Sequence, residues 1–154
     1  MNAQEFYDEA VKRLWMQDKQ AMTGCRCEYK VRLLDGCVVS CIIGLFLTED
    51  EAGQFQNNSL YNISRGYSEF QFELHPLTVA LVKQGIDIVS DENMRILAFD
   101  LQLAHDSMRS HRFDSGETSI RTRHNRDIFF QVARKHGLDN DGFLQAIEQF
   151  PLID

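Results

Sequence analysis

The segment at residues 90–108 reads SDENMRILAFDLQLAHDSM and carries the clearest helical pattern in the chain. Ser90 can cap the first turn, and Asp91 and Glu92 follow it where carboxylates favour a helix N-terminus. The apolar residues recur three and four positions apart, at Met94, Leu97, Leu101, Ala104 and Met108. We therefore predict a long amphipathic helix over 91–108 that covers one side of a hydrophobic core.

Shorter helical patterns lie on both sides of this segment. They are bounded by residues that start or stop helices: hydroxyl or carboxylate caps, a proline in the first turn, or a glycine after the last turn. The predicted helices cover 3–20, a short segment after the capping box of Thr48 and Glu51, 76–83, 126–136, and a last segment capped by Asp139.

Strand patterns are fewer and shorter. Residues 27–33 are β-compatible and precede a turn signal at Asp35, so they are predicted as a short strand. The run 37–47 fits either a central strand or a buried helix, and 70–74 alternates with the period of a strand. The predicted fold class is α+β: one helix-dominated domain over 1–154, with about five helices and a small β-hairpin or sheet.

Composition restricts the classes of function. The chain has 154 residues, with 16 Lys and Arg against 23 Asp and Glu, and its formal net charge is −7. Wholesale binding to duplex nucleic acid or to an anionic membrane needs a dominant positive field, and this charge balance argues against it, so only a local basic patch could provide such binding. The longest apolar run, 37–47, is well short of the roughly 20 residues of a membrane-spanning helix. The N-terminus lacks a signal-peptide pattern, so we predict a cytoplasmic protein, in the host cell if a phage encodes it.

The four cysteines follow the pattern Cys25-x-Cys27-x9-Cys37-x3-Cys41. In a reducing cytosol they are expected as free thiols. Four thiolates can bind zinc, but paired zinc ligands are usually separated by two or more residues, and Cys37 and Cys41 lie in an apolar run. We expect no metal and no cofactor, and we keep a zinc-stabilised structural module as an alternative.

Cys37, His105 and Asp106 are the three residue types that a thiol nucleophile, its base and an orienting carboxylate require. Neighbouring residues on a helix point about 100° apart, so Asp106 is not expected to orient the ring of His105. We expect His105 to make a structural hydrogen bond on the apolar side of the long helix. No catalytic residue is assigned, and a Cys/His-dependent enzyme stays open as an alternative.

Residues 109–125 are predicted as a polar basic loop in an otherwise acidic chain. Arginine side chains bind phosphate or carboxylate through two parallel hydrogen bonds, and the Ser and Gly residues between them add further donors. Phe113 is available for stacking or as a buried anchor. The alternative is a solvated loop whose arginines pair with the protein's own carboxylates. The predicted partner-binding residues are Arg109, Arg112, Phe113, Arg121, Arg123, His124 and Arg126.

Three motifs stand in order along the chain: Cys27-Glu28-Tyr29-Lys30, then Gly36-Cys37-Val38-Val39-Ser40-Cys41-Ile42-Ile43 followed by Glu49-Asp50, then Leu101-Gln102-Leu103-Ala104-His105-Asp106. They resemble a family of small uncharacterised proteins of tailed phages, prophages and bacteria, whose members show Cys-x-Tyr-Arg, Gly-x-x-Cys-Ala-x-Gly-x-Leu-Ile-x-Asp and Leu-Gln-x-x-His-Asp. Lys30 stands where the family has Arg, and Ser40 where it has Gly. The resemblance implies a phage-associated setting and a shared fold that brings Cys27, Cys37, His105 and Asp106 near one another.

Together these observations predict a noncatalytic protein of phage or mobile-element origin. It is expected to bind and inhibit, or to sequester, a host defence component through the arginines of residues 109–126. A small anionic nucleotide signal is the alternative ligand. A homodimer or higher oligomer is expected through the N-terminal helix, with Tyr7 and Trp15 partly exposed on it.

Overall fold

Helices carry most of the fold, and short antiparallel hairpins connect them. The computed structural model describes residues 1–23, 26–55, 59–65 and 72–154. Within these ranges the helices are α1 (Ala3–Gln17), α2 (Glu49–Gly53), α3 (Ser59–Ser64), α4 (Pro76–Lys83), α5 (Glu92–Asp106), α6 (Arg123–His136) and α7 (Asp141–Gln149). Short 3₁₀ turns lie at Gly44–Phe46 and Phe72–Leu74. The predicted fold class, α+β with helices dominant, is confirmed.

The strands of the described residues pair as three two-stranded antiparallel hairpins. They are β1 (Met22–Thr23), β2 (Arg26–Cys27), β3 (Lys30–Arg32), β4 (Val38–Ser40), β5 (His111–Arg112) and β6 (Thr118–Ser119). Cys27 lies opposite Met22 in the first hairpin, and Lys30 lies opposite Ser40 in the second. In the third hairpin, Arg112 lies opposite Thr118.

Helix α1 supplies the centre of the core. Its start is fixed by a capping box, in which the Glu5 backbone N donates to Asn2 Oδ1 (2.9 Å) and the Asn2 backbone N donates to Glu5 Oε2 (2.8 Å). Tyr7 and Trp15 are almost fully buried, at 0% and 1% exposure. The expectation that these two rings are partly exposed was wrong, because α5 and α7 pack over this side of α1. They are not available as an oligomer contact.

The C-terminal segment closes over the end of α1. Trp15 meets the ring of Phe143 edge to face, with 5.1 Å between ring centroids. Its indole Nε1 donates a hydrogen bond to the carbonyl of Phe150 at 2.8 Å. The only tryptophan of the chain is therefore held by α7 and by the residue that follows α7.

Several predicted helix ends are confirmed, because the groups that fix them are local in sequence. Helix α4 has the predicted bounds, with Pro76 in its first turn. Helix α2 starts with the predicted capping box, in which the Glu51 backbone N donates to Thr48 Oγ1 at 3.1 Å. Gly137 ends α6 in the left-handed conformation, with φ of 66°.

Two helices begin at residues other than those predicted. Asp91, rather than Ser90, caps α5, since Asp91 Oδ1 accepts from the Met94 backbone N at 3.1 Å. Helix α6 begins at Arg123, three residues before the predicted start, because Thr122 Oγ1 accepts from the Asn125 backbone N at 3.2 Å. The basic segment is therefore partly helical.

The ends of α1 and α7 also differ from the prediction. Helix α1 ends at Gln17 instead of residue 20, because Asp18 adopts the left-handed conformation with φ of 54°. Helix α7 begins at Asp141, and Asp139 does not cap it; Asp139 Oδ1 instead accepts from the Asp141 backbone N at 3.0 Å. Gly24, the predicted stop of the first helix, lies outside the described residues.

The strand predictions were only partly right. The predicted strand over 27–33 is interrupted at Tyr29, and it forms the end of β2 and the whole of β3. The run 37–47 is neither a strand nor a helix throughout, since β4 is followed by the first 3₁₀ turn. Residues 72–74 form a 3₁₀ turn rather than a strand, and residues 70 and 71 lie outside the described residues.

Candidate functional site

The basic segment at 109–126 forms a hairpin that leads into a helix, where a loop was predicted. Strands β5 and β6 pair, and the turn between them is closed by the Phe113 backbone N donating to the Glu117 carbonyl at 2.9 Å. Gly116 has φ of 88°, a conformation that side-chain-bearing residues rarely adopt. The hairpin therefore presents its side chains from a defined backbone.

Asp18 attaches this hairpin to the end of α1. Its carboxylate Oδ1 accepts from Ser119 Oγ at 2.6 Å and from the Ile120 backbone N at 3.0 Å. Asp18 is the only non-glycine residue with positive φ among the described residues. An aspartate tolerates this conformation better than most residues and also supplies the acceptor that the hairpin requires.

Arg121 was predicted to bind a partner, but the structure places its guanidinium against α1. Its Nε donates to the Trp15 carbonyl at 3.1 Å and its Nη2 to the Met16 carbonyl at 3.3 Å. The guanidinium also lies over the ring of Phe150, 4.8 Å from the centroid. Because α1 has no basic residue in its last turn, Arg121 serves as a remote cap for the carbonyls there.

Arg126 is also engaged within the protein. Its Nη2 lies 2.7 Å from Asp127 Oδ1, and its guanidinium lies over the ring of Phe130 at 5.5 Å from the centroid. The alternative raised from the sequence was that arginines of this segment pair with the protein's own carboxylates. It holds for Arg126, which pairs with Asp127, and for Arg121, which pairs with Asp18. Only the other predicted residues are free to meet a partner.

The remaining predicted residues form an exposed group, which we call the basic surface: Arg109, Arg112, Phe113, Arg123 and His124. None of its three arginines forms an ion pair with a carboxylate of the described residues. Phe113 is 39% exposed, and its ring meets that of His111 edge to face at 4.9 Å. The basic surface therefore combines three arginines that form no ion pair among the described residues with one partly exposed aromatic ring, although Asp114 and Glu117 are also exposed on the hairpin and Asp154 Oδ1 accepts from the Arg123 backbone N at 2.9 Å.

Asn125 holds the two ends of the basic surface together. This residue is fully buried, and its Oδ1 accepts from the Arg109 backbone N at 2.9 Å. Its Nδ2 donates to the carbonyls of Arg109 and Ile120, both at 2.8 Å. The backbone before the hairpin is thus fixed next to the first turn of α6.

A second group of chemically capable side chains lies where β2 meets the last turn of α5. The Sγ of Cys27, a ring nitrogen of His105 and a carboxylate oxygen of Asp106 all lie within 4.8 Å of one another. We call this the Cys27–His105–Asp106 cluster. His105 has no exposed surface, Cys27 is partly buried, and the Asp106 side chain is 41% exposed. One side of the cluster therefore opens to solvent.

Asp106 is the acceptor at the centre of this cluster. Its Oδ1 lies 3.2 Å from His105 Nδ1 and accepts from Gln102 Nε2 at 2.7 Å. The Cys27 thiol also forms a hydrogen bond with it. The expectation that Asp106 would not reach the adjacent ring was wrong, because Gln102, one helical turn earlier, holds the carboxylate on the His105 side.

The Cys27 thiol is not activated as a nucleophile by these neighbours. Burial, then the negative charge of Asp106, raises the pKa of Cys27 to about 12. A thiol with that pKa stays protonated near neutral pH, whereas nucleophilic cysteines have lowered pKa values. The cluster as it stands does not support a Cys/His-dependent enzyme.

Cys41, rather than Cys37, is the second thiol beside this cluster. Cys41 is fully buried, its Sγ accepts from the Gly44 backbone N at 3.3 Å, and the charges of Asp106 and Cys27 act on its pKa. Cys37 is exposed at the turn end of the second hairpin, where its carbonyl accepts from the Leu33 backbone N. The resemblance implied Cys37 near the others; the apolar residues around Cys41 were the available signal for its burial.

The free energy of unfolding is expected to fall as the pH rises above about 9. Burial raises the pKa of the Cys41 thiol from 9.0 to about 12, so the unfolded chain loses this proton at a lower pH than the folded chain. The folded state then binds more protons over this interval, and stability decreases with a slope of up to about 1.4 kcal/mol per pH unit. The pKa values of Tyr7 and Tyr29 are also raised by burial and act in the same direction.

Urea unfolding at a series of pH values, followed by circular dichroism, measures this slope. Cys41→Ser removes one ionising thiol and should reduce the slope, the remainder coming from Cys27, Tyr7 and Tyr29, whereas Cys37→Ser, at an exposed position, should leave it unchanged. Equal slopes for the wild type and Cys41→Ser would show that the Cys41 thiol does not contribute.

Comparison with known proteins gives no relative: no family model, curated protein or solved structure matches the chain. Among the described residues, no helix has the length and apolar character needed to cross a bilayer. The basic surface and the Cys27–His105–Asp106 cluster are therefore the features that bear on function.

Proposed function

We propose that this is a noncatalytic protein that binds an acidic surface of a partner protein through the basic surface. In the phage or mobile-element setting that the sequence motifs suggest, the partner is a host defence component, which the bound protein inhibits or sequesters. The observation that carries the proposal is that Arg109, Arg112 and Arg123 are exposed and unpaired among the described residues, although the chain has a net charge of −7.

Unpaired arginines on a fixed backbone are suited to binding. The hairpin is attached by Asp18, and the start of α6 is attached to Arg109 through Asn125. Little backbone order then has to be gained when a partner binds, which lowers the cost of association. Each guanidinium can form two parallel hydrogen bonds with a carboxylate, and Phe113 can be buried at the centre of the contact.

Lys19 adds positive charge beside the hairpin. Its Nζ donates to the carbonyl of Thr118 at 2.9 Å and also to the side-chain Oγ1 of Thr118 at 3.4 Å. Thr118 is the cross-strand partner of Arg112, and side chains of directly opposed residues lie on the same face of a hairpin. Lys19 and Arg112 therefore act on the same face, and a complementary surface should carry carboxylates there.

The exposure of the basic surface favours a protein partner over a small nucleotide. Sites for small ligands are concave and bury most of the ligand. Arg112 and Phe113 instead lie on an exposed hairpin, while Arg123 and His124 lie in the exposed first turn of α6. A partner with an extended acidic surface can contact both elements at once.

Reversing the three unpaired charges should abolish partner binding without unfolding the protein. For R109E/R112E/R123E we expect affinity about 100-fold lower or worse, because three attractive charge contacts become repulsive. The tagged wild type is used to capture the partner from host lysate, and the dissociation constant is then measured with the purified partner. Binding of the wild type should weaken as salt rises from about 50 to about 300 mM.

Arg134→Glu is the matched control, since Arg134 is exposed on the last turn of α6 and has no ion pair among the described residues. It should bind as the wild type does. An unchanged dissociation constant for the triple variant would exclude the basic surface as the contact. A nucleotide that binds in calorimetry and is lost only in the triple variant would replace the protein partner with a nucleotide ligand.

A further inference from the structure

We propose that Cys27, His105 and Asp106 bind one zinc ion, with a fourth position open to water on the exposed side of Asp106. This site is separate from the basic surface and does not depend on the proposed partner. It also differs from a site made by the four cysteines, since Cys37 is exposed at the turn of the second hairpin and is not a member of the cluster.

The three donor atoms lie close to the spacing that a zinc ion needs. Bond lengths of about 2.3 Å to sulfur and about 2.0 Å to nitrogen or oxygen place tetrahedral donors roughly 3.5 Å apart. The corresponding atoms of Cys27, His105 and Asp106 lie within 4.8 Å of one another. Side-chain adjustments of about 1 Å would complete the geometry, and the half-exposed Asp106 has room to make them.

The ring of His105 is buried, and one of its nitrogens has no partner. The side chain has no exposed surface, yet its Nε2 has no hydrogen-bond partner among the described residues. Buried polar atoms are rarely left without a partner, because the lost hydration is not replaced. Nδ1 of the same ring lies 3.2 Å from Asp106 Oδ1, so Nδ1 is the nitrogen that faces this carboxylate and Nε2 is the nitrogen that lacks a partner.

The types of ligand and their surroundings favour zinc over the common hard cations. A thiolate and an imidazole select zinc and related transition metals, whereas magnesium and calcium take oxygen ligands. His105 and Asp106 lie in the last turn of α5, where the helix dipole favours positive charge. Gln102 donates to Asp106, and Gln20 Nε2 donates to the carbonyl of His105 at 2.9 Å, so both ligands are held from outside.

Binding exchanges the thiol proton for the metal. The S–H bond of Cys27 breaks, a Zn–S bond forms, and one proton passes to the buffer, with no change of oxidation state. The negative charge left on sulfur is then compensated by the ion.

The test uses the full-length chain, freed of metal with a chelator and titrated with Co²⁺ and then with Zn²⁺. We expect one equivalent of Co²⁺ to give a tetrahedral absorption spectrum with a thiolate-to-cobalt charge-transfer band, which Zn²⁺ then removes. Cys27→Ser and Asp106→Asn should weaken Zn²⁺ binding by more than the roughly 10- to 100-fold that loss of an outer hydrogen-bond partner costs. Cys37→Ser should bind as the wild type does.

Three results would overturn the proposal. They are a wild-type chain that binds no Co²⁺, a Cys27→Ser variant that keeps the charge-transfer band, and a Cys37→Ser variant that loses it. Circular dichroism of each metal-free variant establishes that it is folded. None of these measurements involves the partner, so failure of this site leaves the proposed function unaffected.

Discussion

Replacing Gly44 with alanine should strongly destabilise the folded state. A Cβ atom at this position would lie 1.8 Å from the backbone oxygen of Tyr29 and 2.7 Å from its carbonyl carbon. That oxygen already accepts a hydrogen bond from the Cys41 backbone N at 2.9 Å, so it cannot move away without breaking the second hairpin. We expect a loss of about 4 kcal/mol or more in the free energy of unfolding.

Gly53→Ala is the matched control for Gly44→Ala. Gly53 is the last residue of α2, and a Cβ there would meet no atom within 4 Å. Alanine has the higher helix propensity, so this variant should be as stable as the wild type or slightly more stable. Urea unfolding followed by circular dichroism compares the three proteins. Equal urea midpoints for Gly44→Ala and the wild type would show that the close contact with Tyr29 is relieved without cost.

Arg121→Ala is expected to lower the free energy of unfolding by about 2–4 kcal/mol. The substitution removes the donors to the carbonyls of Trp15 and Met16 and the stacking on Phe150. It also removes the ion pair with Asp18, in which Nη1 lies 3.6 Å from Oδ2. Hydrogen bonds from a charged donor are among the stronger ones, and those carbonyls would be left without this partner.

Arg123→Ala separates this effect from a general loss of positive charge. Arg123 is two residues away and exposed, and its side chain forms no ion pair among the described residues, so its removal should change stability by no more than about 0.5 kcal/mol. Arg121→Lys should fall between the two, because an ammonium keeps the charge but cannot match the planar guanidinium. Thermal unfolding of all three variants provides the measurement. Equal melting temperatures for Arg121→Ala and Arg123→Ala would mean that the contacts with α1 contribute no stability.

Features encoded by neighbouring residues could be predicted from the sequence. The bounds of α4 and the start of α2 depend on a proline and on a capping box within four residues, and these predictions are confirmed. The hairpins were harder to predict, since strands of two or three residues are too short to show an alternating pattern. The run 37–47 was ambiguous because its 3₁₀ turn depends on contact with Tyr29, which lies outside the run.

The roles of the candidate site residues depended on contacts that are distant in sequence. Arg121 and Arg123 look alike in the sequence, but only Arg121 reaches the carbonyls of α1, more than a hundred residues earlier. Cys37 and Cys41 likewise differ in burial, because Cys37 lies at the turn of the second hairpin and Cys41 lies at its other end, beside Tyr29. Residue type therefore identified candidates, while tertiary contacts determined which of them are free to bind.

The fluorescence of Trp15 reports whether the contacts that support the basic surface are intact. Its indole packs against Phe143 and donates a hydrogen bond to the Phe150 carbonyl. The guanidinium of Arg121 in turn lies over the Phe150 ring. As the sole indole of the chain, it should emit at short wavelength while these contacts persist and shift to longer wavelength once water reaches it. An emission spectrum can therefore distinguish a variant that only fails to bind its partner from a variant in which the contacts of Trp15, Phe150 and Arg121 are broken.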